Sequence, residues 1–132
     1  MKNFIAAVTV VTLAGTTNLA HAEGDAAKGQ KAFSKCAACH RVGPTAKNGV
    51  GPVLNGIVGR KAGTYDGYKY STANMKSEIL WDEAHLAVYL KAPAKVIPGT
   101  KMVFPGIPND QEIADLIAYL KSFKDDGSRV GG

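Results

Sequence analysis

Apolar positions recur with a helical period in three stretches of this chain, and those stretches predict its framework. Between Asp25 and Lys35, Ala26, Gly29, Ala32 and Phe33 fall on one helical face. From Asp82 to Lys91 the stripe is Leu86, Tyr89 and Leu90, and Pro93 is expected to close that helix. The last helix has the strongest pattern: Asn109 or Asp110 can cap it, acids cluster in its first turn, and Ile113, Leu116, Ile117, Leu120 and Phe123 form its apolar stripe. Lys121 and Lys124 suit its C-terminal end. Glycines and prolines crowd residues 43–59 and predict loop, while the polar, glycine-rich tail from Asp125 to Gly132 is expected to fray. No alternating run long enough for a sheet appears, so the expected class is all-α.

The first residues follow a different pattern. Lys2 precedes a mostly apolar run from Phe4 to Leu13, and Ala20-His21-Ala22 places small residues beside a cut before Glu23. Thr9 and Thr12 interrupt the run and Gly15-Thr16-Thr17-Asn18 ends it, short of the roughly 20 apolar residues that a membrane span needs. Residues 1–22 therefore read as a cleaved secretory signal, residues 23–132 as one exported domain, and the expected location is the periplasm, without stable membrane insertion. A domain of this length has a modest core, so a large apolar cofactor would contribute to its packing.

The chain carries a net charge of +5. Its lysines are dispersed, with no arginine-rich run and no basic stretch interleaved with aromatics, which argues against nucleic acid. A dispersed positive surface suits encounters with an acidic protein face, or simply keeps a small protein in solution.

The chemistry concentrates in Cys36-Ala37-Ala38-Cys39-His40, the spacing by which a haem is covalently attached. Each thiol can form a thioether with one vinyl group, and His40 can reach the iron as an axial ligand. A redox dithiol would favour a βαβ context, and a zinc site would need a second Cys/His cluster; neither is evident. With both cysteines inside the motif, no structural disulfide remains. The second axial position has four candidates: Met75, Met102, His85 or an open site. Met102 is favoured because Ile97-Pro98-Gly99-Thr100-Lys101-Met102, with Pro105 shortly after, makes a constrained loop that suits a weak neutral ligand. Met75 lies in a short polar segment, and His85 reads as a packed or partly exposed helix residue.

Over essentially its whole length after residue 22 the chain closely resembles a class I cytochrome c, of the mitochondrial and bacterial cytochrome c2 type. The resemblance rests on the CAACH run, Gly29 and Phe33, Gly51-Pro52, Gly59-Arg60-Lys61, Tyr70, Asn74, Trp81, Tyr89, Pro98-Gly99-Thr100-Lys101-Met102, Phe104 and Asp115-Leu116-Ile117-Ala118-Tyr119-Leu120-Lys121. It implies a single haem c linked to Cys36 and Cys39, with its iron held between His40 and Met102. Gly29 would let the first and last helices cross closely near Tyr119. Pro52 would accept the imidazole N–H of His40. Arg60, Tyr70, Trp81 and Thr100 would bond the propionates, Tyr89 and Asn74 would lie near the Met102 sulfur, and Phe104 would cover the haem edge. His/Met ligation favours reduced iron, and the oxidised protein would show a weak charge-transfer band at the red end of the spectrum.

The same resemblance implies a monomeric one-electron carrier, not an enzyme. Lys35, Lys95 and Lys101, with Lys31 and Lys91 beside them, would meet acidic faces of a membrane quinol-cytochrome c reductase and of a terminal oxidase or photosynthetic reaction centre. Two other readings stand beside it: a haem enzyme or gas sensor in which Met102 leaves the iron, and a haem module bound within a larger complex. The chain departs from the family where a lysine cluster often precedes the last helix. It has Pro108-Asn109-Asp110 there, and Ala94 replaces one lysine after Pro93, so the docking ring is thinner. Asn48 stands where mitochondrial members commonly have a histidine, and could bond across the same loop.

Overall fold

A computed structural model describes residues 23–131, so the expected signal segment lies outside the described residues. Among the described residues five α-helices follow in order: α1 (Ala26–Ala32), α2 (Thr72–Lys76), α3 (Glu83–Lys91), α4 (Pro93–Val96) and α5 (Asp110–Lys121). Irregular loops join them, and among the described residues the only β pairing is two isolated bridges.

Side-chain caps fix where the three main helices start. Asp25 accepts from the Ala27 and Lys28 amides, Asp82 from His85 N, and Asn109 from Glu112 N, each satisfying amides that a helix start leaves free. The first helix is α-helical only to Ala32; Phe33–Lys35 tightens into a 3₁₀ turn that runs into the cysteine motif. Pro93 does end α3, but it also starts α4 as that helix's first residue, because its fixed φ and missing N–H suit a helix N-terminus. The short α2 was not expected from periodicity; Ser71 caps it by accepting from Asn74 N.

The core forms where α1 crosses α5 and α3 packs on α5. Leu116 is fully buried, with Ile113, Ile117, Leu120, Phe33, Trp81, Leu86 and Tyr89 around it. The Phe33 and Tyr119 rings meet at 5.5 Å between centroids, and Trp81 and Tyr89 at 4.7 Å. Asp115 accepts from the Asp25 amide at 2.7 Å and from Gln111 Nε2 at 3.0 Å, which fastens the start of α1 to the middle of α5. These bonds hold its carboxyl below the usual carboxylate range.

The tail is the main correction to the expected fold. Helix α5 stops at Lys121, so Lys124 lies beyond it, and the chain folds back: Phe123 bridges Arg129, and Val130 N donates to Ser122 O at 2.8 Å. The Arg129 guanidinium lies 4.6 Å from the centre of the Phe123 ring. Polarity and glycine content suggested fraying, yet Gly127 is the residue that permits the fold, since its φ of +81° is left-handed and a Cβ there would lie 2.2 Å from the Gly43 carbonyl oxygen. Gly127→Val is therefore expected to release the tail. Hydrogen exchange at the Val130 amide should rise at least tenfold, while amides in the middle of α5 keep their protection. Equal protection of Val130 in both proteins would refute this role for the tail.

Candidate functional site

The helical turn that ends at Lys35 continues through the cysteine motif. Cys36 N and Ala37 N donate to Phe33 O, and Cys39 N and His40 N donate to Cys36 O at 3.0 and 2.9 Å. Positions i, i+3 and i+4 of a helical turn share a face, so Cys36, Cys39 and His40 are presented together. Burial pushes the Cys36 thiol up to about 11. A redox dithiol needs the opposite, a thiol stabilised as thiolate, so this environment disfavours that reading. Among the described residues no group of three or more His, Cys, Asp or Glu side chains could hold a metal, which leaves the half-site for zinc without its other half.

The loop of residues 43–59 orients His40. Its Nδ1 lies 2.7 Å from the Pro52 carbonyl oxygen. A carbonyl only accepts, so Nδ1 carries the proton and Nε2 presents its lone pair. Burial, partly offset by the Pro52 bond, holds the ring's pKa below its ordinary value and favours this neutral form. Gly51 lies against the ring, where a Cβ would come within 2.5 Å of Cε1. The loop is braced by Asn48, which accepts from Val53 N at 2.9 Å and donates to Asp66 O at 3.1 Å, and by buried Asn55, which bonds both the amide and the carbonyl of Gly43 at 2.8 Å. Asn48 thus does make the bond across the loop that its position suggested.

On the other side, Met102 is half-buried against the core, as is Phe104. The Tyr89 hydroxyl lies 3.6 Å from Met102 Sδ and can donate to it, and Thr100 Oγ1 accepts from Met102 N at 3.2 Å. Burial raises the Tyr89 phenol, opposed by a hydrogen bond with Thr100. Met75, by contrast, is 52% exposed, and the exposed His85 ring is engaged with Asp82 at 2.8 Å. Neither competes with Met102 for a buried position.

Arg60, Tyr70 and Trp81 are brought together by the backbone. Trp81 N donates to Arg60 O and Gly59 N to Trp81 O, while the Tyr70 hydroxyl accepts from Tyr65 N at 3.1 Å. Arg60 Nη2 donates to Val53 O, and its guanidinium stacks 4.7 Å above Tyr65, a residue the sequence did not single out. Burial lowers the Arg60 pKa and raises that of Tyr70, leaving a cation and a neutral phenol beside each other. Among the described residues two buried polar atoms have no protein partner: Arg60 Nη1 and Asn74 Oδ1. Such atoms are costly unless satisfied, and a carboxylate-bearing group is the natural complement of the guanidinium. Asn74 makes no hydrogen bond to Met102 among the described residues; its backbone is held by Ser71 and Ser77. Two thiols on one face, an oriented imidazole lone pair, a thioether with a hydroxyl behind it and an unpaired guanidinium nitrogen fit a covalently bound haem.

The five lysines differ in their surroundings. Lys35 pairs with Glu112, Lys91 Nζ lies 2.7 Å from Asp110 Oδ1, and Lys101 lies over the Tyr68 ring and donates to the Lys69 carbonyl. Among the described residues Lys31, Lys95 and Lys101 form no ion pair. No local sequence signal gives these pairings, because Lys35 and Glu112 are 77 positions apart and Lys91 and Asp110 are 19 apart. No helix among the described residues is long and apolar enough to cross a membrane.

The family model for cytochrome c matches residues 26–124. Cytochrome c2 of Rhodoblastus acidophilus is 57% identical over 106 residues, covering 80% of this chain and 99% of that protein. Cytochrome c2 of Blastochloris viridis is 51% identical over 105 residues, covering 80% of this chain and 83% of its own. Among solved structures, cytochrome cH from Methylobacterium extorquens superposes with a TM-score of 0.71 at 56% identity, covering 74% of this chain and 98% of that one.

Proposed function

The chain belongs to the cytochrome c family and is an electron carrier with a covalently bound haem c, and from that premise we propose that it is an exported, periplasmic one-electron shuttle in which His40 and Met102 would hold the haem iron. The bound haem supplies an iron that takes up and releases a single electron. The protein's part is to keep everything else still. The observation that carries the reading is the pairing of an oriented neutral imidazole, held by Pro52, with a half-buried thioether backed by Tyr89.

The residues would divide the work as follows. Cys36 and Cys39 fasten the cofactor. Pro52 fixes the His40 ring and, by accepting its Nδ1–H, makes Nε2 a better donor to the metal. Tyr89 orients the Met102 sulfur, and Thr100 holds that residue's backbone. Arg60, Tyr70 and Trp81 would line the polar end, where Arg60 Nη1 offers a charged donor to a propionate, and Asn74 would lie on the Met102 side with an unpartnered Oδ1. Phe104 excludes water, which disfavours the more highly charged ferric state.

Transfer then needs only transient contact between the cofactor's edge and a partner. Lys31, Lys35, Lys91, Lys95 and Lys101 would steer that contact towards acidic faces of a quinol-cytochrome c reductase and of a terminal oxidase or photosynthetic reaction centre. The expected result is a second-order rate with purified reductase that falls as salt rises, since screening weakens steering. The ferrous protein should also bind carbon monoxide only slowly near neutral pH, because Met102 holds the coordination site. Fast binding at neutral pH would instead favour a carrier whose thioether leaves the metal.

A further inference from the structure

Two lysines from different parts of the chain converge on one turn of α5. Lys35 comes from the 3₁₀ turn before the cysteine motif and pairs with Glu112; Lys91 ends α3 and reaches Asp110 at 2.7 Å. Neither acid caps the helix with its side chain, since the capping acceptor is Asn109. Acids at a helix start stabilise it through the dipole, and that alone would explain their type. It does not explain why each is occupied by one of the five lysines of the docking face, while Lys31, Lys95 and Lys101 are left without such a pair among the described residues.

We propose that Asp110 and Glu112 are specificity-determining residues for docking: they neutralise Lys91 and Lys35 and so weaken, by design of the surface, the pull of this protein on acidic partners. The proposal rests on the reading of that face as the partner-binding surface. The Lys91–Asp110 pair is exposed, with side chains 53% and 80% accessible, and the Lys35–Glu112 pair is half-exposed. Exposed pairs contribute little to stability. Their effect on the local field is larger in consequence, because association of oppositely charged proteins depends on the summed charge facing the partner. Five cations with two anions among them present a face of three net charges where five would otherwise act. Lys31, Lys95 and Lys101 then carry most of the steering. A carrier built this way fits partners of moderate acidity and releases them readily.

The test uses the holoprotein and a purified bacterial quinol-cytochrome c reductase as probe, with second-order reduction rates measured from low to high ionic strength. Asp110→Asn with Glu112→Gln is expected to accelerate the reaction about 3- to 10-fold at low salt, with the curves converging at high salt. A control with the same change in net charge, Glu78→Gln with Asp126→Asn, removes two acids that pair with none of the five lysines and should give less than half of that gain. A cycle adds a readout that a purely structural role would not move. In the native background Lys95→Ala should slow the reaction more than Lys91→Ala, and in the Asp110→Asn background the two losses should become equal. Equal acceleration by both acid pairs, or none from Asp110 and Glu112 while the native rate remains salt-dependent, overturns the proposal alone. A native rate independent of salt overturns the docking reading and this proposal together.

Discussion

Gly29→Ala is expected to lower the thermal midpoint of the holoprotein by about 10 °C, although helix propensity favours the change. Alanine in a helix interior gains roughly 1 kcal/mol over glycine. Against that, a Cβ at position 29 would lie 1.9 Å from the Asp115 carbonyl oxygen and 2.8 Å from the Tyr119 Cβ. A backbone carbonyl in the middle of α5 cannot swing aside as a long side chain could. Its helix would have to move as a unit, and α5 carries Leu116, Ile117 and Leu120, the centre of the core. Overpacking of this kind costs typically ~1–3 kcal/mol, and at a contact with rigid backbone it should reach or pass the upper end. The net loss of ~2 kcal/mol corresponds to the stated fall for a domain near 100 residues. Gly29→Val adds two methyl groups at the same crossing and should lower the midpoint further. Differential scanning calorimetry decides the sign: a midpoint that rises with alanine would mean that α1 and α5 are not held at the separation described.

That crossing also shows what the sequence could convey. The stripes of α1, α3 and α5 were legible because helical periodicity is a local property, and each buries one face. The motif from Cys36 to His40 was legible because its chemistry lies within five residues. The tail was misjudged for the complementary reason. Composition between Asp125 and Gly132 describes a soluble segment, and nothing local announces that Gly127 sits against Gly43 or that Arg129 covers Phe123. The same limit hid Tyr65 beneath Arg60 and the hold of Asn55 on Gly43, both of which depend on where loops return. Lysine positions could be counted, but not their pairing, because charge on a sequence says nothing about which acid lies across the fold. Where a role depended on a single distant contact, such as Asn74 beside Met102, resemblance supplied an expectation that the described contacts do not include.

Met102→Ala is expected to abolish the weak red-end band of the oxidised protein, to open the ferrous protein to carbon monoxide at neutral pH, and to lower the reduction potential. Axial ligands command a range of ~0.8 V, so loss of the thioether should register as a large shift, far beyond that of any substitution behind it. The comparison with neighbouring residues makes the expectation specific. Met75→Ala removes the same chemical group from a side chain that is 52% exposed, and should leave band, affinity and potential as they are. Tyr89→Phe deletes only the hydroxyl 3.6 Å from the sulfur, so the band should remain while the potential moves by a small fraction of the Met102→Ala shift. An alanine at 102 creates a gap beside Tyr89 and Phe104, and some loss of stability is expected from the lost packing. Stability alone cannot produce the ordering, however, since Tyr89 is the more deeply buried residue. If the band survives in Met102→Ala, the second ligand is not this thioether, and the reading of a metal held unchanged through each electron transfer goes with it.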